Sequence, residues 1–111
     1  MSFKHLDLTH GKFNVNGCDT GYFKKLLERF KIVCGLTHVQ LQTTHREPLR
    51  CHPHEWTGTS EPFGFGIKGQ LAECEGWQFQ LSSNEHGRVH GFFIGDIFFV
   101  VWLDPKHQLY P

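Results

Sequence analysis

No stretch of this chain is apolar over anything near the roughly 20 residues that a membrane-spanning helix needs. The longest apolar run, Ile97 to Leu103, has the length of a strand. Charge of either sign is not in excess: eleven Lys plus Arg stand against eleven Asp plus Glu. That balance weighs against a strongly basic nucleic-acid binder. The opening Met1-Ser2-Phe3-Lys4-His5 lacks the apolar core of a secretory signal. The four cysteines, at 18, 34, 51 and 74, are widely spaced. Without export they are expected as reduced thiols rather than disulfides. Gly64-Phe65-Gly66 lacks the Gly-Lys-Ser/Thr ending of a phosphate loop and reads better as a mobile or partner-binding loop. No repeat, low-complexity tract or linker interrupts residues 1–111. These absences leave a cytoplasmic single domain with no membrane partner, long enough to bury a hydrophobic core.

What is present begins with helix signals. Asp19 is a plausible N-cap, and Phe23, Leu26, Leu27, Phe30, Val33 and Cys34 recur at three-and-four spacing. Gly35 is placed to stop this helix. Thr37 and Gln40 make a capping-box pair for a second helix running to about Thr44. Phe3 to Leu8 alternates weakly, as a short edge strand would. Between Arg46 and Gly76 the prolines 48, 53 and 62 and a high glycine content predict turns, with Leu49 to Trp56 extended.

The C-terminal third reads as an antiparallel meander. Gly95-Asp96 is a two-residue hairpin signal between apolar runs. It pairs Ile94 with Ile97, Phe92 with Phe99, His90 with Val101 and Arg88 with Leu103. Alternation places Val89, Gly91, Phe93, Phe98, Val100 and Trp102 on one face, against the helices. Trp77, Phe79 and Leu81 point to the same core, which leaves Gln78 and Gln80 on the face of Arg88 and His90. The fold expected is α+β: two N-terminal helices packed on one face of a C-terminal antiparallel sheet.

Strands this apolar do not need an arginine and a histidine to fold. The tail after Leu103 leaves from the end of the sheet where Arg88 sits, so His107 and Tyr110 can approach it. Arg88, His90, His107 and Tyr110 are therefore the candidate catalytic set. Arginine suits a scissile phosphate, histidine suits proton delivery to a leaving 5′-oxygen, and tyrosine can orient phosphate or stack on a base. This chemistry calls for no cofactor. The plainer alternative pairs Arg88 with Glu85 or Asp104 and leaves His107 and Tyr110 as sheet caps. Arg46, Arg50, His52 and His54 form a basic strip that would bind RNA beside the site, with Trp56 for stacking and Gln78 and Gln80 on the neighbouring strand. Cys51, His52, His54 and Cys74 offer four zinc-ligand types, but without C-x-x-C or H-x₃₋₅-H spacing. Cys18, beside the N-cap, is the one cysteine whose pKa a helix N-terminus could lower.

Two helices followed by a meander, ending in a tail with His107 and Tyr110, resemble the RelE/ParE superfamily of small bacterial toxins. The resemblance implies an mRNA endonuclease without metal, acting on free or ribosome-bound mRNA and held by a protein antitoxin. It implies that Arg88 contacts the scissile phosphate, that His107 is the C-terminal acid and that Tyr110 is the C-terminal tyrosine. The competing expectation is a non-enzymatic protein-binding module, a small inhibitor or a mobile-element accessory factor. Its contact surface would be Trp56, Phe63, Phe65, Phe92, Ile94 and Phe99.

Overall fold

The computed structural model describes residues 1–46, 49–67, 74–82 and 85–110; Pro48 lies outside them. In chain order its elements are helix α1 (Thr20–Cys34), helix α2 (His38–Gln42), strand β1 (His52–Pro53), a 3₁₀ turn at Trp56–Gly58, and strands β2 (Gly76–Gln80), β3 (Arg88–Ile94) and β4 (Ile97–Asp104). The four strands form one antiparallel sheet in the order β1-β2-β3-β4. The chain is thus an α+β mixture with one long helix. Among the described residues no helix is long and apolar enough to cross a membrane.

Helix α1 starts where the Asp19 carboxylate accepts the Tyr22 N–H at 2.9 Å. It ends at Gly35, whose N–H returns to Ile32 O. The buried stripe is Tyr22, Leu26, Arg29, Phe30 and Val33, rotated from the expected one. Phe23, Leu27 and Cys34 are exposed. Arg29 is drawn inward because its guanidinium donates from Nε (3.1 Å) and Nη2 (2.7 Å) to Leu81 O just past β2. That carbonyl has left the ladder and needs a donor. The capping box of Thr37 and Gln40 is present, but α2 has five residues, ends at Gln42 and contributes Leu41 to the core. Its threonines, Thr43 and Thr44, turn their hydroxyls back onto the carbonyls of Val39 and Gln40, a contact that competes with helix propagation. The expected pair of packed helices is therefore one helix and a single short turn of a second. Phe3–Leu8 is not a strand; Ser2 and Asp7 alone bond the edge of β4. Of the segment Leu49 to Trp56, only His52–Pro53 is strand.

The β3–β4 hairpin turns at Gly95 (φ 56°), with Ile94 opposite Ile97 and Phe92 opposite Phe99 as expected. The register then shifts between His90 and Gly91, so that His90 faces Trp102 and Arg88 faces Asp104, not Val101 and Leu103. This is a β-bulge, which adds one residue to a strand and re-aims the side chains beyond it. Gly91 permits it, because a Cβ there would lie 2.0 Å from Phe99 O. As a result Trp102 moves to the face away from α1, and Leu103 takes its place in the helix-side core with Phe79, Leu81, Val89, Phe98 and Val100. The far face is not open. Phe13, Phe92, Val101, Trp102 and Leu109 form a second buried cluster there, with Trp56 and Phe65 against it. Phe13 stacks on Trp102 with ring centroids 4.5 Å apart.

Candidate functional site

The second face of the sheet carries a row of polar side chains under that aromatic cover. Cross-strand pairing places His52 opposite Gln78 and Gln78 opposite His90, with Gln80 opposite Arg88 in the adjacent row. The glutamines do share the face of Arg88 and His90, as expected. Both are buried, however, and so is His90. These three cannot touch an RNA from the solvent side. Gln78 Nε2 donates to His52 Nε2, whose other nitrogen bonds Pro53 O at 3.1 Å. Both nitrogens of His52 are thus engaged.

Beyond β4 the chain reverses. The Asp104 carboxylate accepts the N–H groups of Gln108 (2.8 Å) and Leu109 (3.1 Å), and Leu109 is fully buried. Ser60 anchors the tail from the other side, its N–H to Leu109 O and its hydroxyl to Gln108 O. His107 sits at the bend with φ 54°, a left-handed conformation uncommon for histidine. Among the described residues Arg50, at φ 43°, is the second non-glycine residue in that region. The reversal lays Tyr110 over His54.

One continuous chain of hydrogen bonds results. His90 Nε2 lies 3.0 Å from Asp104 Oδ2, and its Nδ1 lies 3.2 Å from His54 Nε2. His54 Nδ1 lies 3.1 Å from the Tyr110 hydroxyl, which also accepts the Glu55 N–H at 3.2 Å. His90 and Asp104 are wholly enclosed and His54 nearly so, whereas Tyr110 borders an open hollow of about 390 Å³ lined by His52, Pro53, Glu55 and Tyr110.

Electrostatics set the resting state. Burial lowers the pKa of His54 to about 2, with His90, His52 and Arg88 adding to the effect. Burial also lowers that of His90, outweighing the hydrogen bond it donates to Asp104. At Asp104 burial opposes ionisation, but the bonds from His90, Gln108 and Leu109 prevail and lower its pKa. Asp104 is therefore a carboxylate bonded to a neutral His90, which in turn bonds a neutral His54. Half-buried Arg88 has its pKa lowered by desolvation and by the neighbouring Arg50. Desolvation and Arg88 also lower the pKa of His107, while burial raises that of Tyr110.

The structure thus gathers Arg88, His107, Tyr110, Arg50, His52 and His54 at one end of the sheet. Arg46 and Arg50 are exposed, and Trp56 packs on His54 with centroids 4.7 Å apart. Two members were missed, Asp104 as a partner of His90 and His54 as a link rather than an RNA contact. A strand-ending Asp before a Pro was the available signal, but only the bulge brings it beside His90. The zinc-type residues are divided: Cys51 is in the helix-side core and Cys74 packs against the second cluster. Among the described residues no group of three His, Cys, Asp or Glu is arranged to hold a metal. All four cysteines are free, and burial, aided by Asp19, raises the pKa of Cys18 rather than lowering it. Of the surface expected of a binding module, Phe92 is fully buried, Trp56, Phe65 and Phe99 are half-buried, and Ile94 and Phe63 are exposed, Phe63 at 99 %. A hollow of about 590 Å³ between α1 and the β2–β3 connection holds none of the candidate residues. The chain matches no protein-family model, no curated protein and no solved structure in the comparisons made.

The buried histidines carry a stability prediction. A base whose folded pKa lies below its unfolded value binds protons more readily when unfolded. Stability is then fully present above the unfolded pKa of about 6.5 and is lost as pH falls toward the folded one. For His54 the window runs from about 6.5 down to about 2. At about 1.4 kcal/mol per pH unit, some 2 kcal/mol should be gone by pH 5, and His90 acts in the same direction. Urea midpoints at pH 7 and pH 5 measure this, and His54→Phe should flatten the difference. Equal midpoints in the wild type would contradict the assigned neutral state.

Proposed function

We propose that the protein is a small cytoplasmic endoribonuclease that cleaves mRNA by attack of a ribose 2′-OH on the adjacent phosphate, without metal. One observation carries the reading. The tail folds back on Asp104, so that Arg88 comes within electrostatic reach of both His107 and Tyr110, and Tyr110 itself lines the open hollow. In this reading Arg88, with Arg50 beside it, holds the scissile phosphate and offsets the charge that builds on it. His107 gives a proton to the leaving 5′-oxygen. Burial and then the Arg88 charge lower the pKa of His107 in the free protein; a bound phosphate opposes that charge and so readies His107 as an acid. His52 lines the hollow and offers a ring for stacking, Trp56 packs behind it on His54, and Arg46 lies among the exposed cations. His90 is enclosed and acts only through its neighbours. The resemblance to RelE/ParE toxins supports the same reading and adds ribosome-bound mRNA as substrate and a protein antitoxin as partner.

Phe63 favours a second reading, a non-enzymatic protein-binding module. It borders a hollow of about 200 Å³ with Trp56, Pro62, Phe65 and Ile67. The two readings part on one experiment. Purified protein is incubated with RNA, with and without ribosomes, in the presence of a chelator, and growth is followed on expression. Cleavage and growth arrest that are lost in His107→Ala, with melting unchanged, support the nuclease. Intact RNA together with unaffected growth supports the binding module.

A further inference from the structure

We propose that His54, His90 and Asp104 are a built-in proton store behind Tyr110, through which the Tyr110 hydroxyl takes a proton from a ligand hydroxyl seated in the hollow of His52, Pro53, Glu55 and Tyr110. The identity of that ligand as a ribose 2′-OH rests on the nuclease reading above; the store itself does not.

The tautomers are set by which atoms can only accept. Asp104 is ionised and already takes two backbone N–H groups, so the proton between it and His90 belongs to His90 Nε2. Neutral His90 then presents a bare Nδ1, which takes the N–H of His54 Nε2. The bare Nδ1 of His54 takes the O–H of Tyr110. The Tyr110 oxygen accepts the Glu55 N–H and retains one lone pair. Every hydrogen in the chain therefore points inward, toward Asp104. A chain of this polarity conducts a proton in one direction without any ring having to rotate.

When a ligand O–H meets that lone pair, its proton passes to the Tyr110 oxygen. The phenolic proton moves to His54 Nδ1, and the His54 Nε2 proton moves to His90 Nδ1. His90 becomes an imidazolium bonded to the Asp104 carboxylate, and the ligand is left as an alkoxide. If the ligand is RNA, the 2′-O–P bond forms and the P–O5′ bond breaks, with the leaving oxygen protonated by His107. The charge comes to rest on His90 because Asp104 is its counter-charge. The other titratable and charged neighbours are His52, Arg88 and Tyr110; of these, Arg88 and His52 oppose a proton on the rings. Depressed basicity of both rings keeps the store empty at neutral pH. His52 is no rival acceptor, since both its nitrogens are bonded.

Two arms test this. Imidazole nitrogen NMR on histidine-labelled protein at pH 7, assigned with His54→Gln and His90→Gln, should find both rings neutral with the proton on Nε2. A Nδ1–H tautomer on either ring overturns the store whatever the protein does to RNA. In the RNA assay, Tyr110→Phe and His54→Gln should each lower kcat about 100-fold with little change in KM. The double variant should be no slower than either one, because a broken chain cannot be broken twice. Full activity in His54→Gln or in Tyr110→Phe overturns the relay. Intact RNA with the wild type overturns the nuclease reading instead, and the NMR arm then decides the store alone.

Discussion

Asp104→Ala should lower the unfolding free energy by about 3–5 kcal/mol, because it strands three donors, two of them closed off from water. These are the His90 Nε2–H and the N–H groups of Gln108 and Leu109. A typical domain has only about 5–15 kcal/mol in all, so this variant should be marginal at 37 °C. The loss should also be selective in space. The tail from Lys106 to Tyr110 depends on that carboxylate, whereas α1 is fixed by Tyr22, Leu26, Phe30 and Val33 on the opposite face. Amide exchange should therefore rise first at Leu109 and Ser60, whose backbones are bonded to each other. Chemical denaturation measures the total. A change below about 1 kcal/mol would mean that the carboxylate does not anchor the tail.

Arg88→Ala should reduce RNA cleavage by about 10²–10³-fold, the range for removing one group that stabilises developing charge. Its thermal midpoint should stay close to that of the wild type, since Arg88 is half-buried at the first residue of β3 and belongs to neither core cluster. Arg88→Lys should recover little of the rate, because an ammonium cannot present the two parallel donors of a guanidinium to a phosphate. Arg50 sharpens the expectation. It already repels Arg88 in the free protein, and a bound phosphate relieves that repulsion, so raising salt should weaken binding in the wild type more than in Arg88→Ala. Wild-type cleavage rates in Arg88→Ala would remove the phosphate role.

Much of this site could be read from residue order, for identifiable reasons. Period-two alternation sets Gln78 and Gln80 on the face of Arg88 and His90, and the glycine turn at Gly95 sets Ile94 against Ile97. These are local rules, and they hold. The bulge at His90/Gly91 is not local. It depends on Gly91 admitting Phe99 O, and it carries Asp104 opposite Arg88. From a regular ladder Leu103 would have taken that place, and the carboxylate beside His90 would have gone unseen. The second core escaped for another reason: Phe13, Trp56, Phe65 and Leu109 lie outside regular helix and strand and have no periodicity to read. Without that cover His90 looks exposed and directly catalytic, whereas with it His90 can act only through His54. The offset of the α1 stripe is a smaller case. Phe23 and Tyr22 are adjacent in sequence, and the extra burial of Arg29, which bonds Leu81 O, rotates the helix toward Tyr22.

The most direct test of the central claim is the chemistry of the RNA ends left by the purified protein in a chelator. Attack by the 2′-oxygen leaves a 2′,3′-cyclic phosphate on one fragment and a 5′-hydroxyl on the other, and both should vanish in Arg88→Ala. Fragments that carry a 5′-phosphate, or RNA that stays whole, would contradict the account.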